Sequence, residues 1–164
     1  MHSHTLLVGG LTAAQLQQAL QHAGVQLNAY AQTLLASPLF KPSSPARELS
    51  VQVLSVGELG LLHGARMVEV LERAAQRGLY PGPHDLAPLL RLHIRDQEPA
   101  PTAERPGHAP YGAITVISTP LTNDDDFPKG FYLRNVAGQL WLRGHCWDAQ
   151  QHWQPDACLA LCQA

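Results

Sequence analysis

The chain has 164 residues, enough for one ordinary domain to bury a core without disulfide or metal staples. A hydrophobic content of 45% and a charged content of 15% exclude a chain disordered throughout, and a formal net charge of −2 gives no basic footprint for a nucleic-acid backbone or an anionic membrane. Three cysteines, Cys146, Cys158 and Cys162, cannot all pair, the opening residues lack a secretory leader pattern, and uncharged apolar runs such as residues 5–8 are far below the roughly 20 residues of a membrane span. A soluble, cytoplasmic protein is expected.

Residues 12–15, Thr-Ala-Ala-Gln, read as a capping box: the Thr12 hydroxyl accepts from the amide three residues on, and Gln15 reaches back. Ala13, Leu16, Leu20 and Ala23 follow at helical spacing, and Gly24 supplies a left-handed stop. Asn28 offers a second N-cap, to a short helix with Tyr30, Leu34 and Leu35 that ends at Ser37-Pro38. The proline-punctuated connector 41–47 precedes an alternating stretch, 49–54, that predicts a strand. Met67, Val70, Leu71 and Ala74 share one face of a helix predicted over 65–77, with Glu69 and Arg73 as an i,i+4 pair and Gly78 as its stop.

Residues 89–94 read as a short strand, and 98–110, with four prolines, as an exposed loop with no rigid element. From 114 the period becomes two, with Ile114, Val116 and Ser118 alternating with Thr115, Ile117 and Thr119; strands over 131–136, 140–146 and 157–162 complete an expected antiparallel meander. Helices first and strands later predict one α+β domain over 1–164. Its helical part, about 11–78, would pack on one face of an antiparallel sheet of about four to five strands drawn mostly from about 89–162.

The densest patch of reactive residue types is RGHCWDAQQHW, 143–153. Setting Leu133 opposite Leu142 pairs Arg134 with Trp141, Tyr132 with Arg143 and Phe131 with Gly144. One face of that hairpin is then apolar. The other carries Tyr132, Arg134, Trp141, Arg143 and His145, extended by Trp147 and Trp153, and these seven are the candidate binding residues because Trp, Tyr and Arg dominate interface hot spots. The same residues can equally stabilise a solvated sheet face through Arg–aromatic pairs, at about 0.5–1 kcal/mol each.

Strand alternation sends His145 and Cys146 to opposite faces, against a shared ion or a nucleophile–base pair. Cys158 and Cys162 share a face but stand about 13 Å apart along a strand, too far for one zinc; only a helical segment would bring them together and, with Cys146, make a structural zinc site. Asp124, Asp125 and Asp126 offer hard-cation oxygens without calcium-loop spacing and read as a turn. Gly9-Gly10 before Thr12 is half a phosphate loop without its lysine, and His2 and His4 read as a loose end. No cofactor fingerprint or catalytic motif occurs, so no cofactor is expected.

Three stretches, LNAYAQTLLASPLF (27–40), LGLLHGARMVEVLERAAQRGL (59–79) and LAPLLRLHIRDQ (86–97), with Arg91, Asp96 and Gln97 among their polar positions, resemble a group of small bacterial proteins to which no function is assigned. The resemblance covers roughly 27–97, with a looser match in the Trp-rich closing strands. It implies a bacterial domain and no particular activity.

The function expected from these residues is non-enzymatic. It is a binding or protein-interaction module, with a protein partner or itself as a homodimer, room for a small ligand, and neither nucleic acid nor membrane. The rival readings are a hydrolase-type or other enzyme with a loop-built site, with or without a metal, in which Asp124–Asp126, His145 and Asp148 are the candidate acids, bases or ligands, and a structural zinc domain on Cys146, Cys158 and Cys162.

Overall fold

The computed structural model describes residues 1–164. In chain order the elements are β1 (His2–Val8), α1 (Ala13–His22), β2 (Gln26–Leu27), α2 (Ala29–Ala36), β3 (Arg47–Ser55), β4 (Ala65–Arg66), α3 (Met67–Ala75), β5 (Leu79–Tyr80), α4 (Leu86–His93), β6 (Ile114–Val116), β7 (Gly130–Val136), β8 (Gln139–His145), β9 (His152–Trp153) and β10 (Cys158–Gln163).

The start of α1 is a closed capping box, with the Gln15 amide on Thr12 Oγ1 at 3.1 Å and the Thr12 amide on Gln15 Oε1 at 2.9 Å. Gly24 takes φ +71° just past its C-cap, a conformation that costs a glycine little. Asn28 caps α2 by accepting from the Ala31 amide at 2.9 Å and also bonds both backbone groups of Gly144, at 2.8 and 2.9 Å, so one side chain ties a helix start to β8. In α3 the expected Glu69–Arg73 pair gives way to a cap: Glu69 accepts from the Arg66 amide at 3.0 Å, which, with the adjacent guanidinium, holds its carboxyl below the usual range. A carboxylate near a helix N-terminus gains from the free amides and the dipole there, which an exposed i,i+4 pair cannot match.

Residues 89–93 are helical, with Ile94 as the extended C-cap, contrary to the strand expectation. The buried set Leu86, Ala87, Leu90, Arg91 and Ile94 has helical spacing, and Pro88 lies in the first turn, where its missing N–H removes no bond. The amino terminus differs too, since His2 and His4 lie in a strand matched residue for residue with β3, and the His4 ring meets His93 edge-on at 5.5 Å.

The expected antiparallel sheet of four to five strands under N-terminal helices is overturned. One mixed sheet of eight strands runs β1-β3-β10-β6-β7-β8-β2, with β5 beside β10, while β4 and β9 form a separate two-stranded ribbon. The meander holds only for β6–β7–β8. Strand β10 crosses back to lie between β3 and β6, parallel to β6 and antiparallel to β3, and β2 adds parallel to β8. Nor do the helices share one face. Around α1, α2 and α4 one core gathers Leu16, Leu20, Leu34, Leu90, Leu133 and Leu142, and around α3 a second gathers Leu54, Met67, Val70, Trp153, Leu159 and Leu161. Alternation in β10 feeds both, with Ala160 and Cys162 on the first side and Leu159 and Leu161 on the other. No helix is long and apolar enough to cross a membrane.

Candidate functional site

The β7–β8 hairpin has the expected register: Leu133 opposite Leu142, Arg134 opposite Trp141, Tyr132 opposite Arg143 and Phe131 opposite Gly144. Leu133, Leu142 and Phe131 belong to the first core, so Tyr132, Arg134, Trp141, Arg143 and His145 occupy the α3 side of the sheet. That side is not an open interface at Tyr132 and Arg134, which are both buried.

Segment 97–112 lies over them. Ala100 bridges to Val136 and donates its amide to the Asn135 carbonyl at 3.1 Å, lengthening the sheet edge beyond the end of β6. Arg134 donates to the Pro101 carbonyl at 2.7 Å and the Tyr111 carbonyl at 3.1 Å, and the Arg105 guanidinium sits 4.4 Å over the Tyr111 ring while pairing with Asp156. Proline-rich loops satisfy few of their own backbone groups, and an arginine fork answers two carbonyls at once. The stacking partner of Trp141 is Arg143, 4.2 Å away on the same strand and same face, rather than the cross-strand Arg134.

His145 closes the row. Its ring meets Tyr132 at 5.2 Å and Trp153 at 6.1 Å, and Trp153 in turn meets Trp147 at 5.8 Å, every pair edge-to-face. Trp153 is buried in the second core through the β4–β9 ribbon, so it serves packing rather than an outer surface. His145 Nε2 and Trp153 Nε1 are buried without a hydrogen-bond partner. Burial pushes the His145 imidazole down to about 4, so it is neutral at neutral pH.

The sign of the linked pH effect follows from that depression. Stability contributed by a neutral buried imidazole is complete above about pH 6.5, its unfolded value, and is lost as pH falls toward 4, by roughly 3 kcal/mol. A His145→Phe variant, which keeps an edge for Tyr132 and Trp153 but has nothing to protonate, is expected to lose about 3 kcal/mol less than the native chain between pH 7 and pH 4. Urea unfolding across that range measures the difference; equal slopes for both proteins would remove His145 from the acid response.

Beside this cluster a cavity of about 230 Å³ opens between α3 and the sheet. Met67 and Leu71 come from α3, Pro81 from the end of β5, and Thr115, Ile117, Ser118 and Thr119 from β6 and its exit; Gly130, His145 and Trp147 close the far side. Its existence has a backbone cause. The Gly82 amide bonds the Ile117 carbonyl at 2.8 Å, which holds the β5 exit beside β6, while Gly130 presents no side chain where alternation along β7 would place one on the α3 side. A Cβ at Gly130 would meet only the Val116 carbonyl at 3.7 Å and Ser118 Oγ at 4.0 Å, so the space is real and not an avoidance of a clash.

The rival sites do not assemble. No three His, Cys, Asp or Glu side chains come together in a way that could hold a metal ion. Cys158 and Cys162 lie on strand β10, and burial drives both thiols up, Cys158 to about 11; Cys146 donates to the Asp126 carbonyl at 3.5 Å and lies beside Tyr30, whose phenol its nearness raises. Asp124 accepts from the Asp126 amide at 2.9 Å, Asp125 lies 3.4 Å from Lys129 Nζ, and Asp148 accepts from the Gln150 amide at 2.8 Å; these are turn contacts, and none of the four lines the cavity. Gly9 and Gly10 take positive φ to admit the 43–46 segment, whose Ser43 carbonyl would stand 2.9 Å from a Cβ at Gly9.

Of the seven candidates, His145 and Trp147 reach the cavity and the other five do not. Sequence reasoning missed Met67, Leu71, Pro81, Thr115, Ile117, Ser118 and Gly130. The one available signal was the placement of Gly130 in register with His145, a side-chain-free position at the start of an otherwise bulky strand. Comparison with protein-family models, with curated proteins and with solved structures finds no match to this chain, so its own geometry carries the functional argument.

Proposed function

We propose that the protein is a non-enzymatic, cytoplasmic binding domain that holds a small molecule in the cavity between α3, β6 and the β7–β8 hairpin. The observation carrying this reading is the combination at one place of apolar walls, a missing side chain at Gly130 and a short row of polar groups, Thr115, Ser118, Thr119 and His145. Ligand sites in general are concave, mostly apolar and set with a few polar groups. Gly130→Leu tests it. Strand geometry accepts the larger residue, whose side chain would occupy the cavity. Saturation-transfer NMR with benzyl alcohol and indole is expected to show transfer to the native chain and its loss in Gly130→Leu, with thermal stability unchanged or higher. Equal transfer to both proteins would place binding elsewhere and defeat the reading.

A second reading, self-association into a homodimer, is favoured by β1. It is an edge strand of seven residues without Asp, Glu, Lys, Arg, proline or a bulge, whereas the opposite edge ends in the two-residue β2. Edges lacking those devices invite pairing with another strand. Sedimentation would show a dimer that Thr5→Lys dissociates; a native monomer excludes it.

A further inference from the structure

The chemistry of the ligand can be narrowed, on the basis of the cavity being its site. Among the residues lining it, Lys129 and His145 alone can carry a charge at moderate pH. The Lys129 ammonium is already used: it donates to the Asp124 carbonyl at 2.9 Å and lies 3.4 Å from an Asp125 carboxylate oxygen, and its side chain is 7% exposed. The His145 ring is held between Tyr132 and Trp153 and carries no charge near neutrality. What remains for a ligand is neutral: three hydroxyls at Thr115, Ser118 and Thr119, an uncharged imidazole, and the apolar surfaces of Met67, Leu71, Pro81, Ile117 and Trp147.

An ion entering such a space leaves its hydration shell and meets no counter-charge, whereas a hydroxyl or amide exchanges water for the hydroxyl row. The volume of about 230 Å³ admits one ring with a short polar arm and little more. We infer that the cavity selects uncharged, mainly apolar molecules carrying one hydroxyl or amide-like group and discriminates against carboxylates and ammonium ions of the same shape.

Benzyl alcohol, benzoate and benzylammonium share a ring and differ in charge. Titrating each into the full-length protein at about pH 7.5, with backbone amide shifts followed by NMR, should move Ser118, Gly130 and His145 together. The expected result is at least a tenfold tighter constant for the alcohol than for either ion, and a several-fold weakening for the alcohol, but not for toluene, in Ser118→Ala. If benzoate or benzylammonium binds at those amides as tightly as the alcohol, the selectivity is wrong while the cavity remains the site. If none of the probes moves those amides, the site itself falls and this inference with it.

Discussion

Gly144→Val is expected to lower thermal stability by about 6–12 °C. Gly144 sits in β8 directly beneath the start of α2, and a Cβ there would lie 2.7 Å from the Ala31 nitrogen and 2.7 Å from the Tyr30 carbonyl carbon. Both obstacles are helix backbone, so no rotamer change relieves them. Lifting α2 would also break the Asn28 bridge, whose side chain caps the helix and bonds both backbone groups of Gly144. Overpacking of about 1–3 kcal/mol added to lost, partly buried hydrogen bonds gives roughly 3 kcal/mol or more, and a domain of this size shifts by about 2–4 °C per kcal/mol. Calorimetry of the variant measures it; a loss under about 3 °C would mean that α2 does not rest on β8 as described.

The second large effect concerns Arg91, which is fully buried on α4 with no carboxylate partner. Its guanidinium donates to the Ile94 carbonyl, the Gln97 side-chain oxygen and, at 3.5 Å, the Trp141 carbonyl, while Nε has no partner. Burial, with Arg95 nearby, lowers its pKa to about 10. Gln97 passes the connection on, donating to the Gly112 carbonyl at 2.8 Å and the Leu133 carbonyl at 3.3 Å, and Asn135 bonds the Gln97 carbonyl at 2.6 Å. One buried cation therefore anchors the root of the segment that lies over Arg134. Arg91→Ala removes the packing stem and strands these oxygens together, for an expected loss of about 3–5 kcal/mol. Arg91→Met leaves the same oxygens unmet but retains the stem and relieves the desolvated charge, so it should lose about 1–2 kcal/mol less than the alanine variant. Urea denaturation orders the three proteins, and hydrogen exchange should show residues 97–112 opening first in the alanine variant. Equal losses in both variants would show that the hydrogen bonds, not the packing, fix this region.

What the sequence discloses follows the range of the forces involved. The caps of α1 and α2 and the register of the β7–β8 hairpin depend on residues close together in the chain, and Thr12, Asn28 and the Leu133–Leu142 match announce them. Sheet order depends on partners far apart. Nothing near Cys158–Gln163 says that this strand will enter between β3 and β6, or that the seven residues at the amino terminus will extend the sheet beyond β3. The helix α4 was obscured by Pro88, which is a breaker in mid-helix and harmless in a first turn.

The candidate site divides the same way. Alternation correctly places Tyr132, Arg134, Trp141, Arg143 and His145 on one side of the sheet, yet it cannot tell whether a side is bare. Long-range cover decides that: the 97–112 segment occupies Tyr132 and Arg134, and α3 with Trp147 leaves a hollow beside His145. Met67 and Leu71 read as ordinary core positions of a helix because a cavity wall and a core face have the same pattern in sequence. An absent side chain, at Gly130, has no apolar signature at all.

The claim that this hollow is the ligand site is tested most directly by a crystal structure of the protein grown with benzyl alcohol. The account predicts one molecule with its ring between Met67, Leu71 and Trp147 and its hydroxyl toward Ser118 and His145. A molecule bound elsewhere on the surface, or α3 closed down on β6 with no space left between them, would contradict it.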